Sequence, residues 1–194
     1  MKHASSRQLF DYWNERRAGR FAPERSEIEP GAVRHALGDS FILAFDSAAD
    51  HPFRLAGTRV CALFCRELKG ESFAGMWDEE SRPALRDLVS IVADEAVGIV
   101  SGATAHVADG PPADLEMLLL PLAQRGRTHV RMLGVLAPLA PPYWLGTHPV
   151  ERLALGTLRH LGPAIETIAA PRLMRPPPGD SPRPGLVVHQ GGRN

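Results

Sequence analysis

The chain has 194 residues, near the size of one domain, and this length is sufficient to bury a sizeable hydrophobic core. Its 22 basic and 22 acidic residues balance, so no global electrostatic field draws it to nucleic acid or to an anionic membrane surface. The sequence has no signal-peptide pattern, no apolar stretch of membrane-spanning length and only two cysteines, so we expect a cytoplasmic protein with no disulfide framework.

The N-terminal segment predicts two helices that precede the main body of the fold. Ser5 or Ser6 provides an N-cap for the first helix, and Gly19 provides its end. A second, short helix should begin at Pro30, a favoured first helical position, and end at Gly38. The first helix carries an apolar stripe formed by Leu9, Phe10 and Trp13. A helix of this length is marginally stable alone, so the stripe must pack on the sheet of its own domain or on a second subunit.

A hairpin follows these helices. Residues 40–46 predict a buried strand, and 53–57 predict its antiparallel partner after a polar turn. Phe53 and Leu55 should share one face of the second strand, because side chains alternate along a strand. Thr58 can then cap a short helix that carries Val60, Leu63 and Phe64.

The second half of the domain predicts one long helix and three strands. Asp78 begins the helix as an acidic cap, and Gly98 ends it. Strands at 99–107, 115–122 and 129–136 are separated by turn residues and should form an antiparallel meander. The predicted fold class is therefore α+β, with a five-stranded antiparallel sheet, helices on one face and an N-terminal helix before it.

Several segments of the first half also resemble a known family of proteins. They are Leu9-Phe10-Asp11-Tyr12-Trp13, Pro23 with residues 25–30, Phe53-Arg54-Leu55-Ala56-Gly57-Thr58-Arg59, residues 63–70, Phe73 and Trp77. Together they are similar to a family of short, stand-alone PAS-like proteins found mainly in alphaproteobacteria, over about residues 5–140. The resemblance implies a PAS-type domain, a class that senses small ligands, redox state or light, or mediates protein contacts.

The resemblance and the composition together predict four parts of the chain. These are an N-terminal helical cap at 1–38, a PAS-like core at 39–140, a C-terminal extension packed on the domain at 141–170, and a disordered tail rich in Pro and Gly at 171–194. The leucine spacing within 153–161 fits either a helix or a strand.

Candidate ligand-binding residues come from the large side chains of the sheet and helices. By resemblance a PAS ligand lies between these two layers, where the side chains could line a cavity or fill the space as core. Arg59, at a strand-to-helix junction, could meet an anion or hydrogen-bond to a nearby turn. His106 could face the cavity or lie at a strand edge. The candidates are Phe45, Arg59, Phe64, Trp77, His106, Met117 and Met132.

Motifs for a bound cofactor or for catalysis are weak. Cys61 and Cys65 lie one helical turn apart, but two thiols do not make a metal site. The segment Cys65-Arg66-Glu67-Leu68 resembles the flavin-adduct motif of light-sensing PAS proteins only superficially, because Cys65 precedes Gly70. Haem would require an axial histidine, for which the sequence offers His35, His106 and His129. We therefore predict no metal site and no catalytic residue, and leave the cofactor unknown.

The leading functional hypothesis is a cytoplasmic sensory or regulatory protein that acts in signal transduction through protein contacts, with a small ligand in the PAS cavity as a further option. The contact element is the first helix, through Leu9, Phe10 and Trp13, and the partners are a second copy in a homodimer and a signalling protein. One alternative is a small enzyme with an unrecognised site. Another is a module for an anionic second messenger, using Arg59, Arg66 and Arg125 or Arg127.

Overall fold

The protein is described here from a computed structural model that defines residues 1–161, apart from the side chain of His129. The proposed tail at 171–194 and the last part of the proposed extension lie outside these residues. Short 3-10 turns lie at Arg25–Glu27, Pro30–Val33, Leu37–Asp39 and Ala74–Met76. The described helices and strands are α1 Ala4–Arg17, β1 Ser40–Ala44, β2 Phe53–Ala56, α2 Thr58–Phe64, α3 Ser81–Asp94, β3 Gly98–Val107, β4 Ala113–Gln124, β5 Arg127–Pro138 and β6 Val150–Leu161.

One antiparallel sheet organises the described residues. Its strands follow the spatial order β2-β1-β5-β4-β3-β6. The predicted α+β class, the hairpin β1–β2 and the meander β3–β4–β5 are confirmed. A sixth strand, β6, extends the predicted five-stranded sheet by pairing with the open edge of β3, from Gly98 opposite Leu161 to Val107 opposite Val150. The leucine pattern of 153–161 thus belongs to a strand.

The sheet buries apolar side chains on both of its faces, which we name the inner and the outer face. On the inner face, α2 and α3 cover a core that includes Phe41, Trp77 and Met117. On the outer face, α1 covers a second core in which Leu9 and Trp13 pack with Leu118, Leu120 and Leu133 of the sheet. Alternation along the strands divides the side chains between the two cores, because successive residues point to opposite faces. The stripe of α1 therefore packs on the sheet of its own domain.

One expectation about the hairpin is wrong, and a β-bulge explains the error. Leu43 pairs with Phe53 and Ile42 pairs with Leu55, so one extra residue of β2, Arg54, lies between the two pairs. The extra residue shifts the alternation by one position. Phe53 is consequently buried in the inner core, while Leu55 is 47% exposed and lies opposite Ile42 of the outer core.

Several helix boundaries differ from the predicted ones: the segment from Pro30 to Gly38 forms two 3-10 turns in place of one helix, and α3 ends at Asp94, while Gly98, its predicted end, already belongs to β3. The N-cap of α1 is His3, whose Nδ1 accepts a hydrogen bond from the Ser5 amide at 3.1 Å, so neither serine is the cap. The helix ends on Ala18 in a left-handed conformation. Asp78 lies before α3 and accepts from the Ser81 amide at 2.8 Å, as the acidic start predicted. Within residues 1–161, none of the helices combines the length and apolar character that crossing a bilayer requires.

Candidate functional site

The large apolar candidates occupy the inner core. Phe64, Trp77, Met117 and Met132 are buried members of one cluster, and half-buried Phe45 packs against its border, with its ring 5.3 Å from that of His51. These side chains interdigitate with the helices that cover the inner face. The indole nitrogen of Trp77 in this core is buried and makes no hydrogen bond to the described residues. A buried donor without an acceptor is costly, so a ligand or water that accepted a hydrogen bond from this N–H would be stabilised there.

Arg59 is about half exposed, but its guanidinium is paired with a buried carboxylate and is not a free anion site. Its Nε donates to Oδ1 of Asp39 at 2.6 Å, and its Nη2 donates to Oδ2 at 2.8 Å. The same Nη2 also donates to the His35 carbonyl at 3.1 Å. The hydrogen bonds to Asp39 raise the pKa of Arg59, so the guanidinium stays charged. A bidentate pair of this kind fixes both side chains in orientation.

Asp39 also binds the first helix. Oδ2 of its carboxylate accepts from the Ser5 hydroxyl at 2.5 Å, and both residues are buried. One carboxylate at the start of β1 thus joins α1 on the outer face to α2 on the inner face. We call Ser5, Asp39 and Arg59 the bridge. Gly57 allows this close approach, because a Cβ at that position would collide with the Leu37 carbonyl oxygen.

The partner-contact candidates of α1 are mostly covered by the domain itself. Leu9 is fully buried and Trp13 is 3% exposed, and Nε1 of Trp13 donates to the Pro121 carbonyl at 2.8 Å. Phe10 is half-buried and stacks on Trp13 with a centroid distance of 6.1 Å. For Leu9 and Trp13 the contact in this chain is intramolecular, which leaves Phe10 and the polar face of α1 accessible.

A second buried acid anchors the beginning of α1. Glu116 of β4 accepts hydrogen bonds from the amides of Lys2, at 2.5 Å, and His3, at 3.0 Å. Burial opposes ionisation of this carboxyl, but the amide donors outweigh it and lower the pKa of Glu116. The first amides of a helix have no acceptor within the helix, so Glu116 supplies one and holds the N-terminal turn of α1 against the sheet.

The remaining candidates do not converge on a common site. His106 lies on β3 opposite Arg152, and by alternation it shares the face of Val100 rather than that of Ala103. Arg66 is 3.5 Å from Glu71, while Arg125 and Arg127 flank the turn between β4 and β5. Cys61 is half-buried, Cys65 is exposed, and burial raises the pKa of the Cys61 thiol. In the described part of the chain, no group of three or more His, Cys, Asp or Glu side chains is arranged to hold a metal ion. The side chain of His129, one of the histidines considered for haem, is not among the described parts of the chain.

Sequence reasoning missed Asp39 and Glu116 as structural centres. Asp39 follows Leu37 and Gly38, and in the sequence it resembles an ordinary acidic turn residue before a strand. Only the fold shows that Ser5 and Arg59 both donate hydrogen bonds to its carboxylate. Glu116 left a clearer signal, because it is a single acid inside the apolar run from Leu115 to Leu120. A buried acid in such a strand requires donors, which predicts a polar partner above that face.

Comparison with known proteins agrees with the observed topology. A family model described as PAS domain matches residues 1–137, well over half of the chain. No curated protein matches the sequence. The matched region contains α1, the hairpin, α2, α3 and the meander, while β6 lies beyond it. The chain therefore belongs to the PAS domain family, whose members serve in general as sensory and signalling modules.

Proposed function

We propose that this chain is a cytoplasmic regulatory PAS protein that passes a signal to a signalling protein through its first helix. Family membership supports a sensory role in general, and two unpaired cysteines suit a reducing compartment. The observation that carries the proposal is the bridge, because Asp39 binds Ser5 of α1 and Arg59 of α2 at once. We assign no catalytic role to any residue.

The bridge offers a physical route between the two faces of the sheet. A displacement of α2 on the inner face moves the guanidinium of Arg59, and the carboxylate of Asp39 must either follow it or lose two hydrogen bonds. Losing donors from a buried carboxylate is costly. The bridge therefore has two discrete arrangements, one with these hydrogen bonds formed and one with them broken, and no stable arrangement between them. The Ser5 hydroxyl then transmits the change to α1. Such a network supports switching of a helix at the domain edge.

A small ligand in the inner core is the second part of this proposal. The unpaired indole N–H of Trp77 supports it, because a ligand with a hydrogen-bond acceptor would satisfy this donor. Native mass spectrometry of the purified protein, together with an absorption spectrum from about 300 to 600 nm, tests for such a ligand. A retained mass that is lost in Trp77→Phe supports the assignment, and a protein that never retains one counts against it.

The contact surface proposed for the partner is the polar face of α1. Arg7, Asp11, Asn14 and Glu15 are exposed there, on the side opposite the buried Leu9. Charge reversal with Asp11→Arg and Glu15→Arg changes this face and leaves the buried stripe intact. Asp87→Arg is the matched control, because Asp87 is an exposed acid on α3.

The experiment is quantitative affinity capture after cross-linking in cells of the source organism, with the wild type and both sets of variants. We expect the wild type and Asp87→Arg to enrich the same signalling protein, and the α1 variants to lose it. Capture of identical sets by all variants would show that α1 is not the contact surface.

A homodimer is the remaining part of the proposal, and it is supported by the frequent dimerisation of PAS domains. Sedimentation equilibrium distinguishes the 21.1 kDa chain from a species of twice that mass. We expect the dimer, and a monomer at every concentration up to about 100 μM would rule out a dimer of useful stability.

A further inference from the structure

The outer face of the sheet contains an apolar groove beside the edge strand β2. Its volume is about 340 Å³, at the lower end of the range for small-molecule sites. The 3-10 turns between α1 and β1 form one wall, and the beginning of α2 closes the opposite end. This groove lies on the face opposite the inner core, so it is separate from the region around Trp77.

Three apolar side chains form the floor of the groove. Ile42 of β1 pairs with Leu55 of β2 on one side and with Leu133 of β5 on the other, so the three lie side by side across adjacent strands. The β-bulge at Arg54 turns Leu55 to this face and leaves it 47% exposed. Ile28 and Val33 of the wall are also apolar. The groove therefore exposes apolar surface that an apolar chain would cover.

Three arginines lie at the border of this groove. Arg25 lines it, Arg54 precedes Leu55, and Arg131 shares a face of β5 with Leu133. Burial lowers the pKa of Arg131, and the neighbouring charges of Arg54 and Arg25 lower it further, so each of these two guanidinium groups lies near that of Arg131. Like charges brought together in this way repel one another.

Within residues 1–161, none of these three arginines forms an ion pair. Two acids of the adjacent wall, Glu24 and Glu27, are already engaged. Glu24 accepts from the amides of Arg125 and Gly126, and Glu27 is 2.8 Å from Arg20. The cluster thus carries positive charge that no ion pair within residues 1–161 neutralises, next to an apolar floor.

We propose that this groove binds a single-chain amphipathic anion, with its hydrocarbon chain on Ile42, Leu55 and Leu133 and its carboxylate or phosphate headgroup among Arg25, Arg54 and Arg131. Guanidinium groups suit either headgroup, because each can donate two parallel hydrogen bonds to it. An extended peptide fits the site less well, since its backbone N–H and C=O groups would face apolar side chains without partners. The site is independent of the partner contact proposed for α1.

The position of the groove gives binding a structural consequence. Leu9 of α1 contributes to its lining, as do Gly57 and Thr58 at the start of α2. A chain in the groove would therefore contact both helices that the bridge connects. The occupant would stabilise one arrangement of α1 against the sheet.

The test is isothermal titration calorimetry of the full chain with sodium decanoate and with monodecyl phosphate, both below their micelle concentrations. Neutral 1-decanol, at concentrations within its solubility, provides the comparison without a charge. We expect at least one anion to bind at a single site, with decanol at least tenfold weaker. Shortening the chain should weaken binding by about fourfold for each methylene removed. The tighter of the two anions identifies the headgroup.

Variants locate the site within the molecule. Arg54→Gln and Arg131→Gln should each weaken binding at least fivefold, whereas Arg152→Gln, on the strand at the other edge of the sheet, should leave it unchanged. Leu55 is exposed enough to tolerate substitution, so Leu55→Glu should abolish binding through repulsion while Leu55→Gln only weakens it. Circular dichroism and the melting temperature confirm that each variant is folded.

Three results would overturn the proposal. The first is that neither anion binds the folded wild type. The second is that binding does not respond to Arg54→Gln, Arg131→Gln or Leu55→Glu, which would place the ligand elsewhere. The third is that an acidic amphipathic peptide binds this groove while both decyl anions fail to bind, which would make it a protein-docking surface.

Discussion

At the scale of single residues, His51 is the histidine whose surroundings are best defined. It lies in the β1–β2 connection and is 2% exposed. Both His51, at φ 58°, and Asp50 before it, at φ 52°, have left-handed backbone conformations. Its amide donates to the Asp46 carbonyl at 2.8 Å, and its Nδ1 accepts from the Asp46 amide at 3.2 Å. Because Nδ1 is an acceptor here, the imidazole is neutral in the folded protein.

We predict that His51 makes folding stability depend on pH below neutrality. Burial lowers the pKa of His51 from 6.5, and the carboxylates of Asp50 and Asp46 offset this only in part. The unfolded chain therefore takes up a proton at a higher pH than the folded one, so stability is complete above about pH 6.5 and declines as pH falls toward the lowered pKa. Urea unfolding between pH 7.5 and 5, at steps of about half a pH unit, measures this slope.

The control is His51→Asn, because asparagine tolerates the left-handed backbone and does not titrate. We expect this variant to show a flatter profile than the wild type over the same pH range. Equal slopes for the two proteins would assign the pH dependence to other groups.

At the scale of elements, α1 depends on its contact with the outer face of the sheet. Trp13→Ala should lower the free energy of unfolding by about 3 to 5 kcal/mol, because it leaves a cavity and removes the donor to the Pro121 carbonyl. Phe10→Ala should cost about 1 kcal/mol, since Phe10 is half-buried. Urea unfolding of both variants gives the comparison.

A loss of that size approaches the whole stability of a typical domain. Trp13→Phe therefore serves as a milder variant, which keeps an aromatic ring but not the indole N–H, and it should cost about 1 to 2 kcal/mol. Equal effects of Trp13→Ala and Phe10→Ala would mean that α1 is not held by the buried side of its stripe.

The elements show what the sequence could predict and what it could not. Apolar runs of strand length between polar turns predicted β3, β4 and β5, because a strand that is buried on both faces carries apolar residues at successive positions. Side-chain alternation, which placed Phe53 and Leu55 on one face, failed at Leu55, because one extra residue, Arg54, reverses the alternation and the sequence gives no sign of the bulge. Strand β6 stayed ambiguous, because Leu153, Leu155 and Leu158 mix spacings of two and three.

The site was less predictable than the fold for a related reason. Sequence reasoning selected Arg59 and Trp13 by residue type, but their partners, Asp39 and Pro121, are 20 and 108 residues away along the chain. The Arg25, Arg54 and Arg131 cluster likewise comes from three separate elements. Contacts at such separations depend on the register of the sheet, which local patterns do not encode.

At the scale of the whole molecule, one sheet is shared by two cores, and the bridge joins the helices that cover them. Phe41 and Leu43 point to the inner core while Ile42 between them points to the outer one, so neither core can repack without moving β1. Asp39 stands directly before this strand and binds a helix on each side. A substitution at Asp39 should therefore weaken the packing of the helices on both faces of the sheet.

We predict that Asp39→Asn loosens α1 and α2 together and lowers the free energy of unfolding by about 1 to 3 kcal/mol, because Arg59 loses its charged acceptor. Hydrogen exchange should become faster in the first turn of α1 and throughout α2, and should stay unchanged in α3. Glu116→Gln is the matched control, since the hydrogen bonds that Glu116 accepts come from residues at the start of α1, such as the amides of Lys2 and His3, and it should affect α1 alone. Faster exchange in α1 without any change in α2 for Asp39→Asn would show that the two helices are not coupled through this carboxylate, and the signalling route proposed for the bridge would fail with it.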